Sequence, residues 1–229
     1  MTIVSFSGID GAGKSTQISE LQLWLRQSGL STKLVTFWDD VVVLCRLREY
    51  MSHRAFKGDQ GIGSPEKPLQ RRDKNVTSWP VTASRFFFYF CDALSLAIKS
   101  HELKSSQADV VIFDRYIYDE LANLPLKSRL VRAFIWLTLK LVPKPDVSYI
   151  IDADPAAAIA RKPEYPLDFL HRNRQAYLNL SKLAGDITVI QPASIEAMQA
   201  DIRAKMLQAL PARNGHPPHV EAQRIPVNR

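Results

Sequence analysis

The feature that most constrains this chain is a glycine-rich loop near its N-terminus. Residues 8–15 read GIDGAGKS, which matches the pattern G-x-x-x-x-G-K-[ST] in full. The loop directly follows the apolar run TIVSFS of residues 2–7, and apolar residues at helical spacing follow it. A strand, this loop and a helix in that order are the setting in which the pattern binds nucleotide phosphates.

Each residue type in the loop has a physical reason. Glycine lets successive backbone N–H groups turn toward phosphate oxygens with no Cβ in the way. Lys14 supplies a mobile positive charge for the β- and γ-phosphates, and Ser15 supplies a hydroxyl for Mg²⁺. We therefore expect a nucleoside triphosphate and Mg²⁺ to bind here. The predicted donor site comprises Gly8, Asp10, Gly11, Ala12, Gly13, Lys14, Ser15 and Thr16.

Short β-branched runs alternate with helical patterns along the rest of the chain. Strands are predicted at 2–7, 32–37, 108–114, 146–152 and 186–190, and helices at 81–104, 126–141, 167–184 and 194–210. This alternation predicts an α/β fold, a five-stranded parallel sheet with helices on both faces. Together with the glycine loop, it indicates a P-loop NTPase fold. We expect one domain over 1–210 and a proline-rich, disordered tail over 211–229.

A second carboxylate is expected near the metal. Asp114 ends the apolar run VVIF of residues 110–113, and ligands collect at the carboxyl ends of strands in open α/β sheets. Aspartate is also a preferred helix cap, so the metal role rests on pairing Asp114 with the glycine loop. Three further aspartates follow other strands and could line the same cleft: Asp39, Asp40 and Asp152.

The helix predicted over 81–104 carries a polar stripe beside a wide apolar face. Arg85, Tyr89 and Asp92 recur at i, i+4 and i+7 and so share one face. An arginine, an aromatic ring and a carboxylate in one stripe could stack on a nucleobase and bind its edge. The alternative is an ordinary solvated stripe with a local Arg–Asp contact.

The positive charge of the chain is concentrated in one region. Residues 46–74 carry eight Lys/Arg against four Asp/Glu, which is more than half of the net charge of +7. A basic stretch can attract nucleic acid, but this one lacks interleaved aromatics and a recognition-helix pattern. The polar segment 53–80 is too long for an ordinary connection. We expect a functional or mobile loop that meets an anionic small molecule.

Four motifs in the same order give the chain a family resemblance. FSGIDGAGKSTQ resembles the FEGxDGxGKSTQ of the thymidylate kinases, and VVIFDRY resembles their strand and DRY motif. Residues 142–161 (VPKPDVSYIIDADPAAAIAR) are similar to PKPDLxxxLDxxPExAxxR, and residues 168–181 (DFLHRNRQAYLNLS) are similar to DFFxxVRxxYLxLA. The resemblance spans most of residues 2–210 and identifies a divergent member of these nucleoside monophosphate kinases.

The resemblance implies a role for several residues. Asp10 matches the carboxylate that contacts the sugar of the acceptor, Arg115 the arginine that holds its phosphate, and Asp114 the carboxylate near the metal. Tyr89 falls where the family stacks an aromatic ring on thymine, and Asp92 falls within its A-[DN]-R motif. Because Gly11 stands where some members carry an arginine, the catalytic arginine is expected in a short lid, about residues 161–167. Arg161 is the first candidate; Arg172 and Arg174 are runners-up.

The departures from the family concern the acceptor. Ala93 replaces the arginine of A-[DN]-R, Trp38-Asp39-Asp40 replaces R-E-P, and Asp119 stands where the family usually has serine. The lid is reduced to KPEYP and lacks the usual D-R-x-E run, and loop 53–80 has no good counterpart. Loss of an arginine contact changes what a site binds.

We therefore predict ATP- and Mg²⁺-dependent phosphoryl transfer to a nucleoside monophosphate, dTMP being the first choice. Two other functions stay open: a kinase for another nucleotide or small molecule, and a nucleotide-binding regulatory protein with little turnover. Nucleic-acid binding is the weakest hypothesis. No apolar run approaches the ~20 residues that span a bilayer, and no signal peptide is visible. We expect a cytoplasmic protein and, by family resemblance, a homodimer.

Overall fold

The computed structural model describes residues 1–43 and 79–211. Residues 53–78 of the predicted basic loop and residues 212–229 of the predicted tail lie outside the described residues. The expectations for those segments therefore stay predictions. Trp79 and Pro80 were expected to end the loop but instead begin a helix.

Five strands form one parallel sheet. They are β1 (Thr2–Ser7), β2 (Thr32–Thr36), β3 (Val110–Asp114), β4 (Val147–Ile151) and β5 (Ile187–Ile190). Their spatial order is β2-β3-β1-β4-β5, and every neighbouring pair is parallel. The predicted α/β class and the five predicted strands are confirmed, each within two residues of its expected ends.

Helices connect the strands. In the described residues they are α1 (Lys14–Gln27), α2 (Phe37–Asp40), α3 (Trp79–Lys104), α4 (Ile117–Leu121), α5 (Arg129–Leu141), α6 (Pro155–Arg161), α7 (Leu167–Ala184) and α8 (Ile195–Ala209). The predicted bounds of α7 are those observed. Helix α4 was not predicted, because five residues are too few to show a helical period.

The central strands are buried on both faces, as their near-continuous apolar sequences indicate. All six residues of β1 and all five of β4 are buried, and residues 110–113 of β3 have no exposed surface. Burying a large aliphatic or aromatic side chain stabilises the fold by about 1.5–3 kcal/mol. The edge strands β2 and β5 are only partly buried.

This topology places the glycine loop at the carboxyl end of the central strand, along the edge of the sheet where all the strands end. Strand β1 lies between β3 and β4, with Phe6 opposite Asp114 and Ser7 opposite Ile150. All strands are parallel, so their carboxyl ends meet at the same edge. The loop after β1 is therefore flanked by Asp114, the last residue of β3, and by Asp152, the first residue after β4.

Helix α3 has an exposed apolar face. In the described part of the chain it is the one helix whose length and composition would suffice to cross a membrane, and 28% of its most apolar stretch is buried in the structure. Arg85 and Asp92 interrupt its apolar sequence, so it contains no uninterrupted apolar run of ~20 residues. Phe86 of α3 stacks on Phe134 of α5 at 4.2 Å between ring centres, so α3 packs on the rest of the molecule there.

Candidate active site

The backbone of the glycine loop lies against two neighbouring elements with no room for side chains. A Cβ on Gly8 (φ 138°) would lie 2.5 Å from the Ile151 carbonyl oxygen, and one on Gly11 (φ 79°) would lie 2.4 Å from that of Ala158. Carbon and oxygen atoms cannot approach so closely without displacement. The loop is therefore confined between the end of β4 and helix α6.

Lys14, the first residue of α1, turns back into this loop. Its side chain is buried, and Nζ donates to the carbonyl oxygens of Gly8 at 2.8 Å and Ile9 at 2.9 Å. Burial first and the charge of Arg115 second lower the pKa of Lys14 to about 8, against the opposing effect of nearby carboxylates, Asp10 first. An anion bound in the loop would stabilise the charged ammonium.

The residues present fit a nucleotide and a divalent metal. At Gly8 and Gly11 a Cβ would clash with the carbonyl oxygens of Ile151 and Ala158, so the phosphate-loop backbone depends on glycine at these two positions. Ser15 is exposed at the N-terminal turn of α1, and Asp114 is half-buried at the end of β3. Their oxygens are the hard ligands that Mg²⁺ prefers. Within residues 1–43 and 79–211, no three His, Cys, Asp or Glu side chains form a metal cluster, and Mg²⁺ commonly completes its shell with phosphate and water oxygens.

Arg115 meets two carboxylates at this edge. Its NH1 donates to Asp119 Oδ1 at 2.7 Å, and its NH2 is in contact with Asp10 Oδ1. Burial disfavours its charge, but Asp119 and Asp10 together raise the pKa of Arg115 well above its ordinary value. The structure thus brings together Asp10 and Arg115, the two residues expected on the acceptor side of the glycine loop.

Arg115 also has an unusual backbone. Its φ of 71° makes it the one non-glycine residue with positive φ in the described part of the chain. Such a conformation costs roughly 1–3 kcal/mol and is commonly kept at functional sites. The Arg115 N–H donates to the Phe6 carbonyl at 2.9 Å, which ties the turn after β3 to β1 beside the loop.

The sequence did not assign a role to Asp119 or Tyr177. Asp119 is 3% exposed and accepts from Ser7 Oγ at 2.6 Å and from the Tyr177 hydroxyl at 2.7 Å, besides Arg115. Burial and the carboxylate of Asp119 raise the pKa of Tyr177 well above its usual value, so its hydroxyl stays a donor. The contact between Arg115 and Asp119 could have been predicted from the sequence, because the two residues are spaced i, i+4 on a buried segment.

The three lid-region arginines occupy different positions. Arg161 ends α6, is exposed, and donates from Nε to the carbonyl of Ala157 at 3.2 Å. Arg172 is likewise exposed and bonded within its own helix α7. Arg174 forms a two-bond ion pair with buried Asp152, at 2.6 and 2.7 Å, beside Gly8. Asp154 is the N-cap of α6 and accepts from the Ala157 N–H at 3.0 Å.

The stripe on α3 is more buried than a solvated stripe. Tyr89 is 8% exposed and Asp92 is fully buried, where its Oδ1 accepts from the Val43 N–H at 2.7 Å. Arg85 is half-buried and donates to the Asn123 carbonyl at 3.2 Å, on the turn that follows α4. Ala93 has no exposed surface. These contacts connect the stripe to the chain segments that border the site.

Comparison with known protein families gives one consistent result. A family model described as thymidylate kinase matches residues 74–202, which is more than half of the chain. The match begins after the glycine loop, so the chemistry of the loop is an independent observation.

Individual proteins extend the similarity over nearly the whole chain. A probable thymidylate kinase of Methanosphaera stadtmanae is 26% identical over 90% of this chain and 98% of its own length. Another from Pyrobaculum aerophilum is 29% identical over 88% and 94%. The crystal structure of the Ehrlichia chaffeensis thymidylate kinase covers 89% of this chain and 97% of its own, with a TM-score of 0.54 at 20% identity.

Proposed function

This chain belongs to the thymidylate kinase family, and from that membership and the geometry of its site we propose that it transfers the γ-phosphoryl group of ATP to dTMP, giving ADP and dTDP. Phosphoryl transfer needs little covalent chemistry from a protein, so catalysis consists of positioning and charge stabilisation. The residues at the central sheet edge supply both.

The observation that carries the proposal is the meeting of two kinds of group at one sheet edge. A glycine loop with no room for a Cβ at Gly8 or Gly11 lies beside the guanidinium of Arg115, and Asp10 of that loop contacts Arg115 directly. A phosphate-binding loop next to a second fixed cation suits a donor and an acceptor that both carry phosphate. An ATPase that used water would have no need of the second anion site.

On the donor side, we assign the phosphates to the loop. The amides of residues 8–16 and the positive end of α1 face the same anion. Lys14 then exchanges its two carbonyl contacts for the β- and γ-phosphates. When bound, Mg²⁺ neutralises developing charge on the phosphate oxygens; Ser15 and Asp114 would hold it.

On the acceptor side, we assign the dTMP phosphate to Arg115. The contacts with Asp10 and Asp119 use two of the five guanidinium N–H groups, and the remaining donors can take a phosphate. By the family resemblance we assign Asp10 to the sugar and the stripe of Arg85, Tyr89 and Asp92 to the base. The buried Ala93 removes one base contact that the family motif would supply.

For the lid, we keep Arg161 as the arginine that stabilises the transferring group. Its helix α6 lies against Gly11, the loop position at which some family members carry an arginine. Its guanidinium is exposed and bonded to a carbonyl of its own helix, which a phosphate oxygen can replace. Arg174, in contrast, is fixed by Asp152, and moving it would leave a buried carboxylate unpaired.

We also propose a cytoplasmic homodimer. The exposed face of α3 carries Phe87, Phe90, Leu94 and Ile98, with exposed fractions from 41% to 64%. Trp136 and Leu137 of the neighbouring α5 are also exposed. Apolar residues at this density mark interaction surfaces on soluble proteins, and a second copy of the chain would cover them.

The test is an ADP-release assay with ATP, Mg²⁺ and a panel of dTMP, dUMP, dCMP and related acceptors. We expect turnover with dTMP above every other acceptor. Turnover with a different monophosphate would assign the rebuilt acceptor site to that nucleotide. ATP binding without ADP release, for any acceptor, would favour a regulatory protein and overturn the proposal.

A further inference from the structure

Asp119 is a buried carboxylate with four hydrogen-bond donors at the acceptor side. It accepts from Ser7 Oγ at 2.6 Å, from Tyr177 at 2.7 Å, from Arg115 NH1 at 2.7 Å and from the Tyr116 N–H at 3.2 Å. Four donors fill the acceptor sites of one ionised carboxylate. The donors come from β1, α7 and the turn after β3, so this side chain is fixed from several directions.

This fixed carboxylate determines where the Arg115 guanidinium lies. Asp10 attracts the guanidinium from the loop, and Asp119 attracts it from α4. NH2 already contacts Asp10, and without Asp119 to hold NH1 the guanidinium would be free to turn both of its terminal nitrogens toward Asp10. Arg115 would then no longer face the acceptor phosphate, and Asp10 would no longer face the acceptor sugar. Two opposing carboxylates leave the guanidinium between them.

At the positions of Ser7 and Asp119, the carboxylate and the hydroxyl of the family pattern are exchanged. The family motif FEGxDGxGKST has glutamate at the position of Ser7, and serine is usual at the position of Asp119. This chain has the hydroxyl on β1 and the carboxylate on α4, and the two side chains are hydrogen-bonded. The exchanged pair keeps one carboxylate and one hydroxyl, and differs from the family pair by one methylene group.

We propose that Asp119 is a positioning residue that holds Arg115 for the acceptor phosphate, and that Ser7 and Asp119 are a transposed carboxylate–hydroxyl pair. The proposal rests on the proposed function, since it concerns the phosphate that Arg115 binds. It explains how a chain lacking both residues of the family pair retains a negative charge beside its acceptor arginine. Substitution at one of the two positions is compensated by substitution at the other.

The experiment is a double-mutant cycle on kinetic constants. The variants are Asp119→Ser, Ser7→Glu and the double variant Ser7→Glu/Asp119→Ser, with Asp119→Asn as a near-isosteric variant. For Asp119→Ser we expect kcat/KM for dTMP to fall on the order of 30-fold, mainly through KM for dTMP. Ser7→Glu alone also loses activity, because two carboxylates then face each other without a second cation.

The double variant is the decisive member of the cycle. We expect it to recover kcat/KM for dTMP to within about fivefold of the natural chain. A purely structural role of Asp119 would lower thermal stability without this recovery and without a selective change in KM for dTMP. The KM for ATP should change by less than about threefold in all variants, since the loop is untouched. Asp186→Ser, which breaks the exposed ion pair with Lys144, is the matched control and should leave all constants near their natural values.

Each outcome decides the question. An Asp119→Ser variant with an unchanged KM for dTMP, or a folded double variant no more active than the poorer single variant, would overturn the proposal. If Asp119→Ser does not fold, a folded and active double variant supports it, and an unfolded or inactive one refutes it. Failure of the proposed function is distinct, because the natural chain would then show no turnover with dTMP at all.

Discussion

The two halves of the site are built by different means. The proposed donor half is one unbroken stretch, residues 8–16, in which Gly8 and Gly11 leave no room for side chains and Lys14 turns back onto the backbone. The acceptor half is assembled from side chains on four separate elements: Asp10, Arg115, Asp119 and Tyr177.

This difference explains why the two halves have diverged to different extents. A backbone site requires particular residue types at fixed spacing, so its sequence pattern is complete in this chain. A side-chain site requires only a suitable balance of charge and hydrogen bonds, which several combinations of residues can supply. The departures of this chain from its family are therefore concentrated on the acceptor side.

The largest effect is expected at the donor half, for Lys14→Ala. Losing the ammonium that meets the β- and γ-phosphates should lower kcat/KM on the order of 1000-fold in the ADP-release assay. Lys33→Ala, at an exposed position on β2, is the control and should retain natural activity. Substantial residual activity in Lys14→Ala would mean that the loop does not hold the donor.

The lid prediction concerns Arg161→Ala. Removing the arginine assigned to the transferring group should lower kcat on the order of 100-fold with little change in KM for either substrate. Arg172→Ala, on the exposed side of α7, tests the runner-up under the same assay. If Arg172→Ala lowers kcat and Arg161→Ala does not, the catalytic assignment moves to α7.

The backbone character of the donor half is tested by two glycines with similar φ. Gly11→Ala brings a Cβ to 2.4 Å from the Ala158 carbonyl, whereas Gly29→Ala meets nothing within 4 Å. Displacing the loop should weaken ATP binding about 100-fold in Gly11→Ala. Gly29→Ala should lose about 1 kcal/mol of unfolding free energy and bind ATP normally. Equal ATP binding by the two variants in isothermal titration would contradict the steric account.

On the acceptor half, Arg115→Lys keeps the charge and removes the planar fork. Lysine cannot contact Asp10, Asp119 and a phosphate together in the same geometry. We expect KM for dTMP to rise on the order of 30-fold while thermal protection by an ATP analogue is retained. Loss of ATP protection in Arg115→Lys would show that the two halves are not separable in the way described.

The smallest effect on catalysis is expected on the exposed face of α3. Phe87→Asp should convert a dimer to a monomer in light scattering, because a charge would be buried in an apolar interface. The control, Leu23→Asp, places the same charge at an exposed leucine of α1 and should leave the mass unchanged. A monomeric natural chain would remove the proposed dimer and leave the chemistry of the site intact.

Much of the fold and the donor half could be predicted because the signals are local. The run at 110–113 indicated a strand buried on both faces, and the glycine pattern indicated a phosphate loop after a strand. The α4 helix and the contacts of Asp119 with Ser7 and Tyr177 could not be read in this way. Ser7 and Asp119 are 112 positions apart, and only the parallel pairing of β1 and β3 brings them together.

The stripe on α3 is a second case in which local sequence signals did not predict the contacts of the side chains. Helical spacing placed Arg85, Tyr89 and Asp92 on one face, but spacing does not say what covers that face. In the folded chain the Val43 N–H and the Asn123 carbonyl lie against it. Ala93 lacks the base contact that the family arginine at this position would supply. Its complete burial could not be predicted without the packing of α3.

The most direct test of the central claim follows the phosphoryl group itself. The chain is incubated with Mg²⁺, dTMP and ATP labelled in the γ-phosphate, and the products are separated by chromatography. We predict that the label appears in dTDP, that its formation matches the release of ADP, and that Lys14→Ala abolishes both. Label found only in inorganic phosphate, or ADP released without labelled dTDP, would contradict the account.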